Sequence, residues 1–159
     1  ENLDAVTPWR FRAPLSPDMA AAREGREIPF DEVVTFCRAP AHEELTLIEG
    51  IGGVMVPLDS RHTVLDLIAA VGAPVVLVAG SYLGTLSHTL TAAAALASRG
   101  CPLLATIVSE SPDQPVAAQE TASVLRRFLG EAPVHVLPRL AADARAPLDW
   151  LSILRVAAR

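Results

Sequence analysis

Residues 74–108 read PVVLVAGSYLGTLSHTLTAAAALASRGCPLLATIV. Two apolar runs, Pro74–Ala79 and Leu103–Val108, flank an alanine- and leucine-rich stretch, Leu86–Arg99, that stops at Gly100. A short Val/Leu/Ile run without polar alternation suits a strand covered on both faces, and the longer stretch between two such runs suits a helix. Strands joined through a helix form right-handed βαβ units, which makes the sheet parallel. The same alternation continues toward the C-terminus. A helix is predicted near Val116–Leu129, ended by Gly130, then a strand at Val134–Leu137 and a last helix near Leu148–Ala158.

On the N-terminal side lies LTLIEGIGGVMVPL, Leu45–Leu58. The run Leu45–Ile48 predicts a buried strand, and it ends in one carboxylate, Glu49, followed by Gly50, Gly52 and Gly53. Glycines let the backbone come close to whatever the acid faces, although a surface loop with a merely solvated glutamate would show the same pattern. A helix near Thr63–Val71 follows. Earlier still, Pro29 and Asp31 start a helix, FDEVVTFCR, with Phe30, Val33, Val34 and Cys37 on its apolar face. Ser16-Pro17-Asp18 opens another that runs to about Glu24 and stops at Gly25, with Asp18 complementing the helix dipole. Glu1–Pro14 is expected to be irregular and Ala39–Glu44 to be a loop.

The chain has 159 residues, enough for one domain with a single core, and no repeat or linker divides it. Its net charge of −5 argues against a nucleic-acid partner. No apolar run is long enough to span a bilayer, so a soluble, cytoplasmic protein is expected. Cys37 and Cys101 have no metal-ligand spacing and read as unpaired packing residues of a reducing compartment. His42, His62 and His135 have none either, and His88 reads as packed and hydrogen-bonded rather than catalytic. Arg126-Arg127 suits a solvated helix face. All thirteen basic residues are arginine, so these residues offer neither a Schiff-base lysine nor a GxxxxGK[ST] loop.

In an open α/β sheet, ligands bind beyond the carboxyl ends of the strands. Four groups should gather there: Glu49 with its glycines; Gly80, Ser81, Tyr82, Leu83 and Gly84; Ser109, Glu110, Ser111 and Pro112; and Pro138, Arg139 and Leu140. Glycines, hydroxyls and two acids on one rim make a candidate site for a polar ligand with a metal.

Three segments resemble the dethiobiotin synthetase family: PLSPDMAAAREGREI at 14–28, IEGIGGVMVPL at 48–58, and PVVLVAGSYLGTLSHTLTAAAALASRG at 74–100. The similarity runs from about Val6 to about Leu140. It implies a P-loop NTPase-like, three-layer α/β fold with helices on both faces of a parallel sheet. It also implies an ATP- and Mg²⁺-dependent ligase of biotin synthesis that closes the ureido ring of 7,8-diaminononanoate with carbon dioxide. By resemblance, Glu49 is the Mg²⁺ and phosphate ligand, and Gly50, Ile51 and Gly52 line the nucleotide. Ser109 and Glu110 take the place of an adenine-reading Asn-Asp pair, and Pro138 and Leu140 border the adenine. Leu83, Gly84, Thr85 and Ser87 match the loop that binds the substrate carboxylate across a homodimer interface. The family's P-loop, its lysines and a nearby serine precede this region, so residues 1–159 are expected to lack that segment and to be inactive alone. A non-catalytic relative acting as a binding or regulatory module, a related amidoligase, and a portion of a larger protein are the other readings.

Overall fold

The structure is a computed structural model that describes residues 2–39 and 46–144. The chain divides into two compact units, Glu1–Gly72 and Ala73–Arg159.

The first unit is helical. A single turn, α1 (Leu3–Val6), stands where an irregular segment was expected; Asn2 caps it by accepting from the Asp4 amide. Helix α2 (Pro17–Arg23) follows the start signal at Ser16 and Pro17, and Gly25 ends that region with a positive φ of 63°. Helix α3 (Phe30–Arg38) spans the predicted residues. Helix α4 (Val64–Val71) begins at a full capping box: the Thr63 hydroxyl accepts from the Asp66 amide, and the Asp66 carboxylate accepts from the Thr63 amide. Its end is a left-handed glycine, Gly72. Phe30, Val33, Val34 and Cys37 of α3 pack against Leu58, Val64 and Leu67, which form the core of this unit.

The strand expected at Leu45–Ile48 is not there. Leu45 lies outside the described residues; Thr46–Ile48 have no strand structure, and Leu47 is 74% exposed. An apolar run becomes a strand only when a neighbour completes its hydrogen-bond ladder. Among the described residues Thr46–Ile48 have no such neighbour, and the sheet begins at Val75. Most of the loop Ala39–Glu44 and the last helix, Leu148–Ala158, also lie outside the described residues.

The second unit carries the sheet: β1 (Val75–Gly80), β2 (Leu103–Ser109) and β3 (Val134–Leu137) in the order β1-β2-β3, with both pairings parallel. Helix α5 (Thr85–Ser98) connects β1 to β2, and α6 (Ala118–Phe128) connects β2 to β3. The architecture is therefore α/β, a parallel sheet with helices. Along β2, Ala105, Thr106, Ile107 and Val108 are all buried, so both of its faces are covered, as a run with one threonine among apolar residues suggests. Val108 and Val134 meet Ala118, Ala122 and Leu125 of α6, with Leu86 and Leu90 of α5 packed at the margin. Parallel pairing in register brings Gly80, Ser109 and Leu137 level, so all three strands end on one rim. No helix among the described residues is long and apolar enough to cross a membrane.

Candidate functional site

The rim is assembled by side chains that take over where the ladder stops. The Ser81 amide donates to Ser111 Oγ at 3.0 Å, and the Ser111 amide donates to Ser81 Oγ at 2.8 Å. Each serine thus accepts the amide of the other, tying the loop after β1 to the loop after β2. Ser81 is 1% exposed. Gly80 is required beside this pair: an added Cβ would come within 2.7 Å of the Tyr82 ring and 2.9 Å of Ser111 Oγ.

From Ser81 the network runs outward. Its hydroxyl donates to Gln114 Oε1 at 2.8 Å, and Gln114 Nε2 donates to Glu110 Oε1, also at 2.8 Å. The second oxygen of Glu110 accepts from the Arg139 amide at 2.9 Å, while the Glu110 amide donates to the Leu137 carbonyl. Glu110 therefore ties the exit of β3 to the end of β2. The Arg139 N–H and then the Gln114 amide favour the ionised carboxyl, and they hold Glu110 below the usual carboxylate range.

The entry to α5 is built around Gly84, whose φ of 96° favours glycine. The Thr85 hydroxyl donates back to the Gly80 carbonyl at 2.7 Å, so the first residue of α5 is fastened to the last of β1. Leu83 is 86% exposed and Ser87 is also exposed. His88 is hydrogen-bonded as expected, its Nδ1 lying 3.0 Å from the Tyr82 hydroxyl, but it is exposed rather than packed. The structure thus brings together Leu83, Gly84, Thr85, Ser87, Ser109, Glu110, Pro138 and Leu140 at the carboxyl ends of the three strands.

Glu49, Gly50, Ile51 and Gly52 belong to the first unit and do not end a strand. Their loop is clamped to the start of α4: the Val64 amide donates to the Val56 carbonyl and the Leu65 amide to the Val54 carbonyl. These bonds satisfy two amides that a helix start leaves free. A Cβ on Gly50 would lie 2.9 Å from a Val64 methyl, and Gly52 holds a φ of 70°. Gly50 thus serves a close approach to α4, whereas a Cβ on Gly52 would meet Val56 of its own loop. Ile51 and Glu49 point to no partner of their own: both are exposed, and Glu49 makes no hydrogen bond or ion pair among the described residues. A single unengaged carboxylate suits Mg²⁺, which takes one or two such ligands and keeps water or phosphate oxygens for the rest. Among the described residues no cluster of three metal-ligating side chains offers a closed cage.

Sequence reasoning missed Gln114, which lies two residues past Pro112 and carries no motif. It also missed the pair in which His62 Nδ1 lies 2.8 Å from Asp59 Oδ2, with the His62 ring stacked on Phe30 at 4.0 Å. These residues line a cleft of about 590 Å³ in the first unit together with Asp18, one of whose carboxyl oxygens is buried without a partner.

Comparison with known proteins supplies the rest. Residues 1–143 match a family described as an AAA domain. The ATP-dependent dethiobiotin synthetase of Acidiphilium cryptum is 50% identical over 151 residues, 94% of this chain and 68% of that protein. The enzyme of the same name from Caulobacter sp. strain K31 is 50% identical over 150 residues, 92% of this chain and 65% of the relative. That of Methylobacterium nodulans is 46% identical over 134 residues, covering 82% and 60%. The chain spans about two thirds of the length of these relatives. Identity of this extent over most of the chain shows that the chain belongs to the dethiobiotin synthetase family.

Proposed function

We propose that this chain is the larger part of an ATP-dependent dethiobiotin synthetase acting on 7,8-diaminononanoate. In that reaction one amine adds to carbon dioxide to give a carbamate. The carbamate oxygen attacks the γ-phosphorus of ATP and ADP leaves. The neighbouring amine then attacks the carbamoyl carbon, expels phosphate and closes the ureido ring. The barrier falls through positioning and charge neutralisation, because little covalent chemistry is required of the protein. The single observation that carries the reading is the 50% identity extending over 94% of the chain to a protein of that name.

The residues divide by role. Glu49 serves the phosphates and its carboxylate would hold a Mg²⁺ ion, while Gly50, Ile51 and Gly52 line the nucleotide. The ion supplies charge neutralisation at the phosphate oxygens when bound. Ser109, Glu110, Pro138 and Leu140 frame the nucleotide base. A serine hydroxyl offers no paired donor and acceptor on a rigid amide, so Ser109 reads the base less strictly than asparagine would. Leu83, Gly84, Thr85 and Ser87 receive the substrate carboxylate, where amides at the start of the 14-residue α5 favour an anion. Exposed Tyr82 and Leu83 beside them support a homodimer with a shared pocket. The two free thiols suit the cytoplasm. The test is ATP- and Mg²⁺-dependent conversion of diaminononanoate and labelled bicarbonate to dethiobiotin by the full-length protein. No product, with both substrates bound, would favour a non-catalytic role.

A further inference from the structure

We infer that Gln114 is a positioning residue that holds the loops after β1, β2 and β3 in one arrangement on the rim. Its amide is used at both ends, as an acceptor toward Ser81 Oγ and as a donor toward Glu110 Oε1, each at 2.8 Å. The orientation of that amide is fixed by its partners, since an ionised carboxylate can only accept. On one side, buried Ser81 exchanges hydrogen bonds with Ser111. On the other, Glu110 spends its second oxygen on the Arg139 amide. Glu110 thus acts on the base-side loop through Arg139, and Gln114 fixes Glu110 to the loop that leads into Leu83–Ser87. What these loops bind rests on the function proposed above; that Gln114 holds them does not.

Two variants of the full-length protein test this. Gln114→Leu keeps much of the volume and removes both bonds. The Arg139 amide should then lose at least tenfold in its hydrogen-exchange protection factor, while the Thr106–Val108 ladder amides keep theirs. ATP affinity, measured by equilibrium binding, should weaken about fivefold or more. Gln114→Glu is the sharper probe. Protonated, the new carboxyl donates to Glu110 and accepts from Ser81 as the amide did; ionised, it sets a second negative charge against Glu110. The charged neighbours are Glu110, Arg139, which acts on Glu110 electrostatically, and Asp113 next in the chain. Arg139 protection and ATP affinity in Gln114→Glu should therefore approach the wild type at low pH and fall as pH rises through a range in which Glu110 of the wild type is already ionised. Unchanged Arg139 protection in Gln114→Leu, or a flat pH profile in Gln114→Glu, would overturn the inference. Loss of Arg139 protection in a protein whose wild type binds no ATP would uphold the positioning role and refute the proposed function instead.

Discussion

Replacing Ser81 with alanine removes one oxygen and no packing volume of consequence, so its effect isolates the hydroxyl. That oxygen accepts from the Ser111 amide and donates to Gln114. Losing it leaves a backbone N–H and a side-chain carbonyl without partners. Each buried orphan costs about 1–3 kcal/mol, and the Gln114 oxygen lies toward the low end because that side chain is only half-buried. The expected loss is about 2–4 kcal/mol. In a chain of this size each kcal/mol lowers the melting temperature by about 2–4 °C, which gives a drop of roughly 4–16 °C. Ser111→Ala orphans just the Ser81 amide and should cost about half as much. Thermal unfolding of the full-length wild type and both variants, followed by circular dichroism, measures the difference. If Ser111→Ala proves as costly as Ser81→Ala, or Ser81→Ala costs under about 0.5 kcal/mol, the two-way exchange does not hold the rim together.

Three other perturbations bear on the first unit. Glu49→Gln keeps the shape of the side chain and removes the charge that a hard cation requires; Mg²⁺-dependent nucleotide binding by the full-length protein should weaken at least tenfold, and equal titration curves would remove Glu49 from the metal site. Burial pushes the Asp59 carboxyl up, but hydrogen bonds from the His62 ring and from the Arg61 and His62 amides prevail and hold it below its ordinary value. A depressed folded-state pKa stabilises fully above the unfolded value of about 3.9 and is lost as pH falls through the folded one. Asp59→Asn should therefore be less stable than the wild type at pH 7 and converge with it under strongly acidic conditions; parallel stability curves down to that limit would contradict the assignment. Thr63→Ala removes the hydroxyl from the α4 capping box and should cost about 0.5–2 kcal/mol in chemical denaturation, whereas no loss would mean that the clamped glycine loop alone secures the helix start.

The sequence is most informative where one rule suffices. A short run of Val and Leu interrupted only by His135 and bounded by turn residues located β3 at Val134–Leu137, and the start and face of α3 followed from Pro29, Asp31 and the spacing of Phe30, Val33, Val34 and Cys37. Leu45–Ile48 obeyed the same apolar rule and failed, because a ladder depends on a neighbour that local sequence does not contain. The rim was legible as a set of strand ends, but its wiring was not. Nothing local indicates that Ser81 would find Ser111, 30 positions away, or that Gln114 would join Glu110 to Ser81. The glycines after Glu49 were legible as close-approach residues, yet what Gly50 and Gly52 approach are the Val64 and Val56 side chains of the chain itself, and Gly53 approaches nothing. The His62–Asp59 pair was hidden because a search for ligand spacing passes over a histidine held by one acid three residues away.

The crossed bonds between Ser81 and Ser111 carry a kinetic consequence. Ordering a loop residue costs about 1–2 kcal/mol of backbone entropy, and a site that orders only on contact subtracts that amount from its affinity. Here the loops after β1 and β2 are ordered when the chain folds, before any ligand arrives. Association at this rim should accordingly proceed in one observable step, with a rate linear in ligand concentration and no plateau from a slow closing motion. Weak ligands would then differ from strong ones chiefly in how fast they leave.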